Sequence, residues 1–460
     1  MKHLPSLFFA ALLLSGTTVT AQELTVNKMD VVENLPDMPM GQTTDTISLL
    51  PEDEAGQQID SDLFGTEGGG YAHPFISISG EYTDNLYNVD LDTTSNFLTT
   101  ISPGIWFSVP RRKEVPLHVA PNNTSAGGLQ TGLPDYESFD RINAYVLGAL
   151  DYKMYSDDSD LNDWGGIGEG LFRYNLRGGL SLGIVDRFTR GQDRFDIGSS
   201  TAEQLRMYYS NIAIADADWL FTEKLRAKIE YSNFYLNYDD QIDEFMNRSD
   251  NSFSVYGFFN YSMKTALFLQ YQYIDVSYDT ADLKDNEQDF IYGGINWVSS
   301  AKTSFRFKAG YQQRTYKNSI VDALVEESDS VKNDGFALEL AFQYKVTDKT
   351  GITLGASNKL EESDSYDALN KDVIAATFRY EQEFTERFTG TLSLLYENAD
   401  YGMRDGSRDE DRYVVRPALQ YVLKDWLMAE VSYMYDTRDS SDDYFDYSSN
   451  TISFSLNSAL

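Results

Sequence analysis

His73-Pro74-Phe75-Ile76-Ser77-Ile78-Ser79-Gly80-Glu81-Tyr82-Thr83-Asp84-Asn85-Leu86-Tyr87 is the stretch that decides the fold of this chain. From Phe75 it runs apolar, apolar, polar, apolar, polar, then turns polar at Glu81–Asn85. Beyond an acidic connector the alternation resumes at Phe97-Leu98-Thr99-Thr100-Ile101 and closes with Ile105-Trp106-Phe107. Such alternation puts one strand face against an apolar medium and the other against water. Two strands of this kind joined by a polar loop make an antiparallel hairpin, and the rest of the chain reads as copies of it.

The composition says which medium. In 460 residues there are 32 Tyr and 27 Phe, yet only 42% hydrophobic residues. Abundant aromatics without continuous apolar runs suit a membrane β-barrel, which needs apolar residues at every second strand position. No cysteine is present, so disulfides and thiolate metal sites are excluded. A formal net charge of −35 excludes nucleic acid as a partner, because phosphate binding needs basic patches.

Upstream of the hairpin, Lys2 and His3 precede an apolar stretch from Leu7 to Leu14, and Val19 and Ala21 stand at −3 and −1 of a cleavage site. Residues 1–21 are expected to be a signal peptide, since the apolar stretch is shorter than the ~20 residues a spanning helix needs. Residues 22–70 are acidic and aperiodic, with Pro36, Pro39, Pro51 and the run Gly68-Gly69-Gly70. They are expected to form a disordered periplasmic leader, either a spacer or a tether for a periplasmic partner. An exported chain without spanning helices enters a membrane only as a closed barrel.

Downstream comes an irregular segment, 110–137, with Arg111-Arg112-Lys113, Pro116, Pro121 and Pro134. It is expected to be a long periplasmic insertion, read as a plug, a docking loop or a solvated loop. From Phe139 the organisation repeats. Six tight turns carry a basic residue each, at 221–224, 262–265, 301–303, 347–350, 384–387 and 423–425. Between them lie long acidic connections such as Asp157-Asp158-Ser159-Asp160, Glu361-Glu362-Ser363-Asp364 and Asp439-Ser440-Ser441-Asp442-Asp443. Short turns on one side and long loops on the other are the asymmetry of outer-membrane barrels, with the short side periplasmic. The expected architecture for 71–460 is therefore an all-β, transmembrane, antiparallel up-and-down β-barrel of about 18 strands, with both termini periplasmic.

Tryptophan supplies a check. Trp106, Trp219, Trp297 and Trp426 fall at inferred periplasmic strand ends, where an interfacial aromatic girdle belongs; Trp164, in an external loop, is the exception. The last strand puts Ile452, Phe454, Leu456 and Leu460 on one face and Ser453, Ser455 and Asn457 on the other.

If the apolar positions face lipid, their neighbours face a lumen. That register assigns to the lumen Glu169, Arg173, Arg177, Arg187, Arg226, Lys228, Glu230, Arg306, Lys308, Glu339, Arg379, Glu381 and Arg416. Mixed signs fit a water-filled pore that tunes selectivity, or Arg–Glu pairs that brace the wall. A one-residue slip would invert every assignment. The acidic loops match no EF-hand pattern, so no metal site is expected; the reading is solvated loops that repel anionic solutes near the mouth or share cations with lipopolysaccharide. Catalysis finds no support: His73 and His118 stand near no G-x-S-x-G elbow, H-E-x-x-H is absent, and Gly165-Gly166-Ile167-Gly168-Glu169-Gly170 lacks the Lys-Ser/Thr of a phosphate loop. No enzyme activity and no cofactor are expected.

Glu81-Tyr82-Thr83-Asp84-Asn85-Leu86-Tyr87 and Asn96-Phe97-Leu98-Thr99-Thr100-Ile101-Ser102-Pro103-Gly104 resemble the start of the putative beta-barrel porin 2 family. The resemblance implies an outer-membrane barrel linked to secretion of exopolysaccharide or capsule, partnered by a periplasmic polysaccharide-export protein, with no catalytic residues. The expected function is a polar pore in outer-membrane lipid and lipopolysaccharide that exports exopolysaccharide or capsular polysaccharide. The alternatives are a passive uptake porin for small hydrophilic solutes and a closed structural or adhesive barrel.

Overall fold

A computed structural model describes residues 71–110, 121–129, 141–193, 205–300, 302–317, 332–366, 368–403 and 407–459. The expectations for 1–70, for His118, for the basic triplet at 111–113 and for Leu460 lie outside these residues. The strands are β1 (Ala72–Thr83), β2 (Asn96–Val109), β3 (Ile142–Tyr155), β4 (Asp163–Asn175), β5 (Leu180–Asp193), β6 (Arg206–Leu220), β7 (Leu225–Tyr238), β8 (Arg248–Ser262) and β9 (Thr265–Tyr278). They continue as β10 (Asn286–Ser300), β11 (Thr303–Tyr316), β12 (Lys332–Thr347), β13 (Thr350–Glu362), β14 (Ala368–Thr385), β15 (Phe388–Met403), β16 (Ser407–Lys424), β17 (Leu427–Ser440) and β18 (Tyr447–Ala459).

All 18 pair antiparallel with their sequence neighbours, and β1 pairs with β18 from Phe75↔Ala459 to Thr83↔Thr451, which closes the sheet. Closure is what lets a sheet cross lipid, since it leaves no edge with unsatisfied backbone groups. The hairpin count from sequence arrives at the same number of strands.

The two faces separate as the alternation requires. Along β9, Leu267, Leu269 and Tyr271 are exposed, while Phe268, Gln270, Gln272 and Ile274 between them are buried. In a bilayer the exposed apolar row meets acyl chains, and the other row points into the barrel. The six basic turns join β6–β7, β8–β9, β10–β11, β12–β13, β14–β15 and β16–β17. A further short turn, 176–179, joins β4 to β5, where Gly178 and Gly179 take φ of 99° and 82°. Such left-handed backbone is open to glycine and costly for other residues. Arg177 sits in this turn and is exposed, so its expected place on the lumen wall is corrected: the glycine pair ends the alternation just there.

Trp106 also needs correction. Trp219 and Trp297 are 47% and 37% exposed on the outward face near the short-turn end and Trp426 is 45% exposed in the β16–β17 turn, whereas Trp106 is 0% exposed. Strand parity explains the difference. Trp106 shares its face with Leu98, Thr100, Ser102 and Ser108, all buried, while Phe97, Ile105 and Phe107 point outward. It stacks on His73 across the β1–β2 ladder, with centroids 4.0 Å apart and planes at 17°, among Leu147, Ala149, Ile167 and Met428. Trp164 belongs to β4 at the long-loop end, exposed and set against Tyr152.

Candidate functional site: the inward wall and the plug at the long-loop end

Every second residue of each strand lies on the inward face and is a candidate to meet a passing solute, and many of the charged ones are paired. Near the short turns, Arg379–Glu381 (3.8 Å) and Arg416–Glu430 (3.5 Å) keep their side chains about a fifth to a third exposed. In the same belt Arg226 donates to Asp218 (2.8 Å), Lys228 meets Glu230 (2.8 Å) and Arg173 meets Asp216 (3.0 Å). Further in, Lys308 and Glu339 are register partners on β11 and β12, 3.0 Å apart. Arg306 lies over the Phe268 ring at 5.7 Å and Lys308 over Tyr292 at 4.4 Å. Glu169 accepts from the Tyr145 hydroxyl and pairs with Arg187 at 3.5 Å, both nearly inaccessible. Apart from Arg177, then, the charged residues named from sequence share the inward face, and all but Arg306 stand in the ion pairs named here.

Toward the long loops the pairs are sealed. Arg314–Glu362 (2.8 Å) is 0% and 1% exposed, and Arg248–Asp250 (3.2 Å) is 3% and 0%. Arg206–Asp243 and the triad Arg408–Glu410–Arg438 are equally enclosed, with Arg408 between the rings of Tyr401 and Phe445. The Glu362 carboxylate accepts from Arg314, Tyr278 (2.7 Å), Gln288 (2.7 Å) and Asn286 (3.2 Å). Burying a carboxylate is affordable only with such a donor set. Sequence reasoning missed this belt. Continuing the alternation of β11 past Lys308 through Gln312 reaches Arg314, and β8 read backwards from Tyr256 reaches Asp250 and Arg248, so those were findable. Glu362 was not, because the end of β13 folds in over strands β9–β11.

Residues 121–129 seal the belt. β2 ends and β3 begins at the short-turn end, yet these residues touch the first turn of β8 and the last residues of β13, at the opposite end. An insertion confined to the short-turn side therefore does not describe them. From Val109 to Pro121 the chain can reach roughly 40 Å at ~3.3 Å per residue, about the length of a 14-residue strand. Gly127 N donates to Asp250 Oδ2 (2.8 Å), Arg248 Nη2 to the Ser125 carbonyl (3.1 Å), Thr124 Oγ1 to Glu361 Oε2 (2.7 Å), and Glu362 N to the Thr124 carbonyl (2.7 Å). The segment holds its own shape: Asn122 Oδ1 accepts from Thr124 N (2.8 Å), and Asn122 N donates to the Gly128 carbonyl (3.2 Å). Gly127 and Gly128 stand at φ 70° and 64°, and Gly128 has no room for a Cβ beside the Phe234 ring. Apolar contacts flank the polar ones. Leu129 packs against the buried cluster that includes Tyr208, Ile212, Phe234 and Leu236, and Ala126 belongs to the one that includes Ile274, Val276 and Tyr292.

The β13–β14 connection is anchored at the same end. Lys284 Nζ donates to the Ser365 carbonyl (3.0 Å), and the Tyr366 ring meets Phe245 edge-on. Asp364 accepts from Lys371 (3.3 Å) and the Tyr401 hydroxyl (3.0 Å). Burial alone would raise the Asp364 carboxyl; Lys371 and that hydroxyl outweigh it and hold it below its ordinary range.

An 18-stranded closed barrel with an apolar outer face and a charged, hydrogen-bonded inner one is a porin-like outer-membrane protein. A family model described as putative beta-barrel porin 2 matches residues 209–459, more than half of the chain, and the chain belongs to that family. The match begins in β6; the hairpin motif that suggests the same family lies outside it. No curated protein matches the sequence. Among solved structures, the chain is similar to Acinetobacter baumannii OccAB4 (8% identity, TM-score 0.42, covering 85% of this chain and 99% of that one). It is similar to a BenF-like porin from Pseudomonas fluorescens Pf-5 (10%, 0.44, 85% and 100%). It is similar too to Pseudomonas aeruginosa OccK2 (OpdF), solved in complex with glucuronate (11%, 0.42, 85% and 98%).

Proposed function

We propose that this protein is a channel for export of a hydrophilic polymer, exopolysaccharide or capsular polysaccharide, across the outer membrane. The observation that carries the reading is the gradient along the inward wall: ion pairs are water-accessible near the short turns and sealed near the long loops. With the short turns toward the periplasm, as in bacterial barrels generally, the vestibule receives solute from inside and is shut to the exterior. A general uptake porin needs the opposite, a mouth permanently open outward. Paired charges with interspersed Ser, Thr and Gln give a sliding sugar hydroxyl-matching partners and no net field to trap it.

In this reading residues 1–21 are a signal peptide, 22–70 a periplasmic leader, and both barrel termini periplasmic, where a polysaccharide-export protein would supply direction. The outer face meets lipid and, at the long loops, lipopolysaccharide. Deleting the gene should abolish surface polysaccharide and leave uptake of small nutrients unchanged. Slowed nutrient entry with intact surface polysaccharide would instead make the protein an uptake porin.

A further inference from the structure

We infer that residues 121–129 are a removable plug, the gate of this pore, which leaves its cradle toward the short-turn end to let solute pass. The inference rests on the channel reading above and goes beyond it in saying what closes the channel and from which side it opens.

The segment is bonded to the wall through a small polar set, namely Asp250, Arg248, Glu361 and the Glu362 amide; these residues belong to β8 and β13, but their bonds to the segment are not pairings of the β-ladder that builds the barrel. Its own hydrogen bonds, from Thr124 N to Asn122 Oδ1 and from Asn122 N to the Gly128 carbonyl, do not involve the wall and hold the shape of the segment independently of it. The cradle does not depend on the plug for its charge balance: Asp250 keeps Arg248, and Glu362 keeps Arg314, Tyr278, Gln288 and Asn286. Departure therefore strands no buried charge in the wall, which is the usual obstacle to taking a buried polar contact apart. The direction follows from topology. The strands that carry the insertion, β2 and β3, end and begin at the short-turn rim, so tension applied from that side pulls the plug down the lumen. The β13–β14 connection, held by Lys284, Lys371 and Tyr401, stands at the long-loop rim beside the segment and leaves the short-turn direction as its way out.

The chain has no cysteine, which makes a locking experiment clean. A Cβ on residue 127 would stand 3.5 Å from Ser252 Cβ, within disulfide reach. Three forms are compared in planar bilayers: the unaltered protein, Gly127→Cys/Ser252→Cys oxidised with copper phenanthroline, and a variant whose residues 121–129 are replaced by nine Gly and Ser residues. The unaltered protein should show brief openings. The oxidised pair should show none until dithiothreitol is added, and the replaced variant should stay open with severalfold higher mean conductance. Because left-handed backbone at 127 disfavours cysteine, the replaced variant is decisive where the pair fails to fold. The gate is overturned if the replaced variant conducts like the unaltered protein, or if the oxidised pair opens as freely. If the replaced variant is folded by heat-modifiable migration and conducts nothing, the channel reading falls, and the gate with it.

Discussion

Leu269 and Gln270 are neighbours in β9 with opposite surroundings, one 70% exposed toward lipid and the other buried and bonded to the Tyr256 hydroxyl at 3.0 Å. Leu269→Arg should therefore lower folding stability in liposomes by about 2–4 kcal/mol, read by urea titration, because it places a cation in the hydrocarbon. Removing one partner of a sealed pair should cost at least as much. Arg314→Met leaves Glu362 buried with only neutral donors, and about 3–5 kcal/mol of destabilisation is expected by the same titration. Arg379→Met, whose pair is about a third exposed, should lie within about 1 kcal/mol of the unaltered protein. Asp364 makes a pH-dependent contribution of known sign. Its carboxyl is held below the ordinary value in the folded protein, so its anchoring is complete above that value and is lost as pH falls through the depressed one. Protease nicking of the β13–β14 connection should stay constant from neutral pH down to the ordinary carboxylate range and rise only below it. Asp364→Asn should show the raised nicking already at pH 7.

At the scale of elements, the residues that carry the family resemblance have a structural role. Asp84 accepts from Asn450 N (2.7 Å) and Nδ2 (2.8 Å), and Asn85 Nδ2 donates to the carbonyls of Val89 (2.7 Å) and Ser448 (3.1 Å). Leu86 is buried with Tyr87, Leu98 and Tyr155. Together they staple the end of β1 to β18, at the seam where the sheet closes on itself. Asn85→Ala should cost about 1 kcal/mol, since it removes side-chain hydrogen bonds to the part-buried backbone of Val89 and Ser448. The expected readout is a lower temperature for the folded-to-unfolded band shift on gels; an unchanged temperature would mean the seam does not need the staple. The opening hairpin was legible because its alternation is strict. The turn at 176–179 was not, because the glycines that make it sit beside the glycine-rich 165–170 run and the count of residues between them gives no register.

At the scale of the whole molecule, the barrel should migrate on gels in a heat-modifiable way and show a β-dominated circular dichroism spectrum; a water-soluble, helix-rich product would contradict it. Its long-range property is asymmetry between ends. Ion pairs go from accessible to sealed along the lumen, and a segment attached at one rim fills the other. Nothing local encodes that. The aromatic at 106 and the aromatics at 219, 297 and 426 look alike in sequence, yet one packs inward on His73 and the others are exposed.

The amino-acid sequence by itself determined the alternation, the strand count, the antiparallel order and the family, because period-2 patterning and tight-turn residues act over a few positions and need no partner to be read. Its alternation also put charged residues such as Glu169, Arg187, Lys308 and Glu339 on one face, but not Arg177, which falls in a turn. Only the tertiary structure decided which of them pair, that Glu362 turns inward, and that 121–129 lies at the far rim from its own strands. Most of the pairs, and the place of Glu362, depend on contacts between different strands, and the placement of 121–129 on contacts between residues more than a hundred positions apart, such as Gly127 with Asp250 and Thr124 with Glu361. Such contacts form only once closure of the barrel has brought the strands around a common axis.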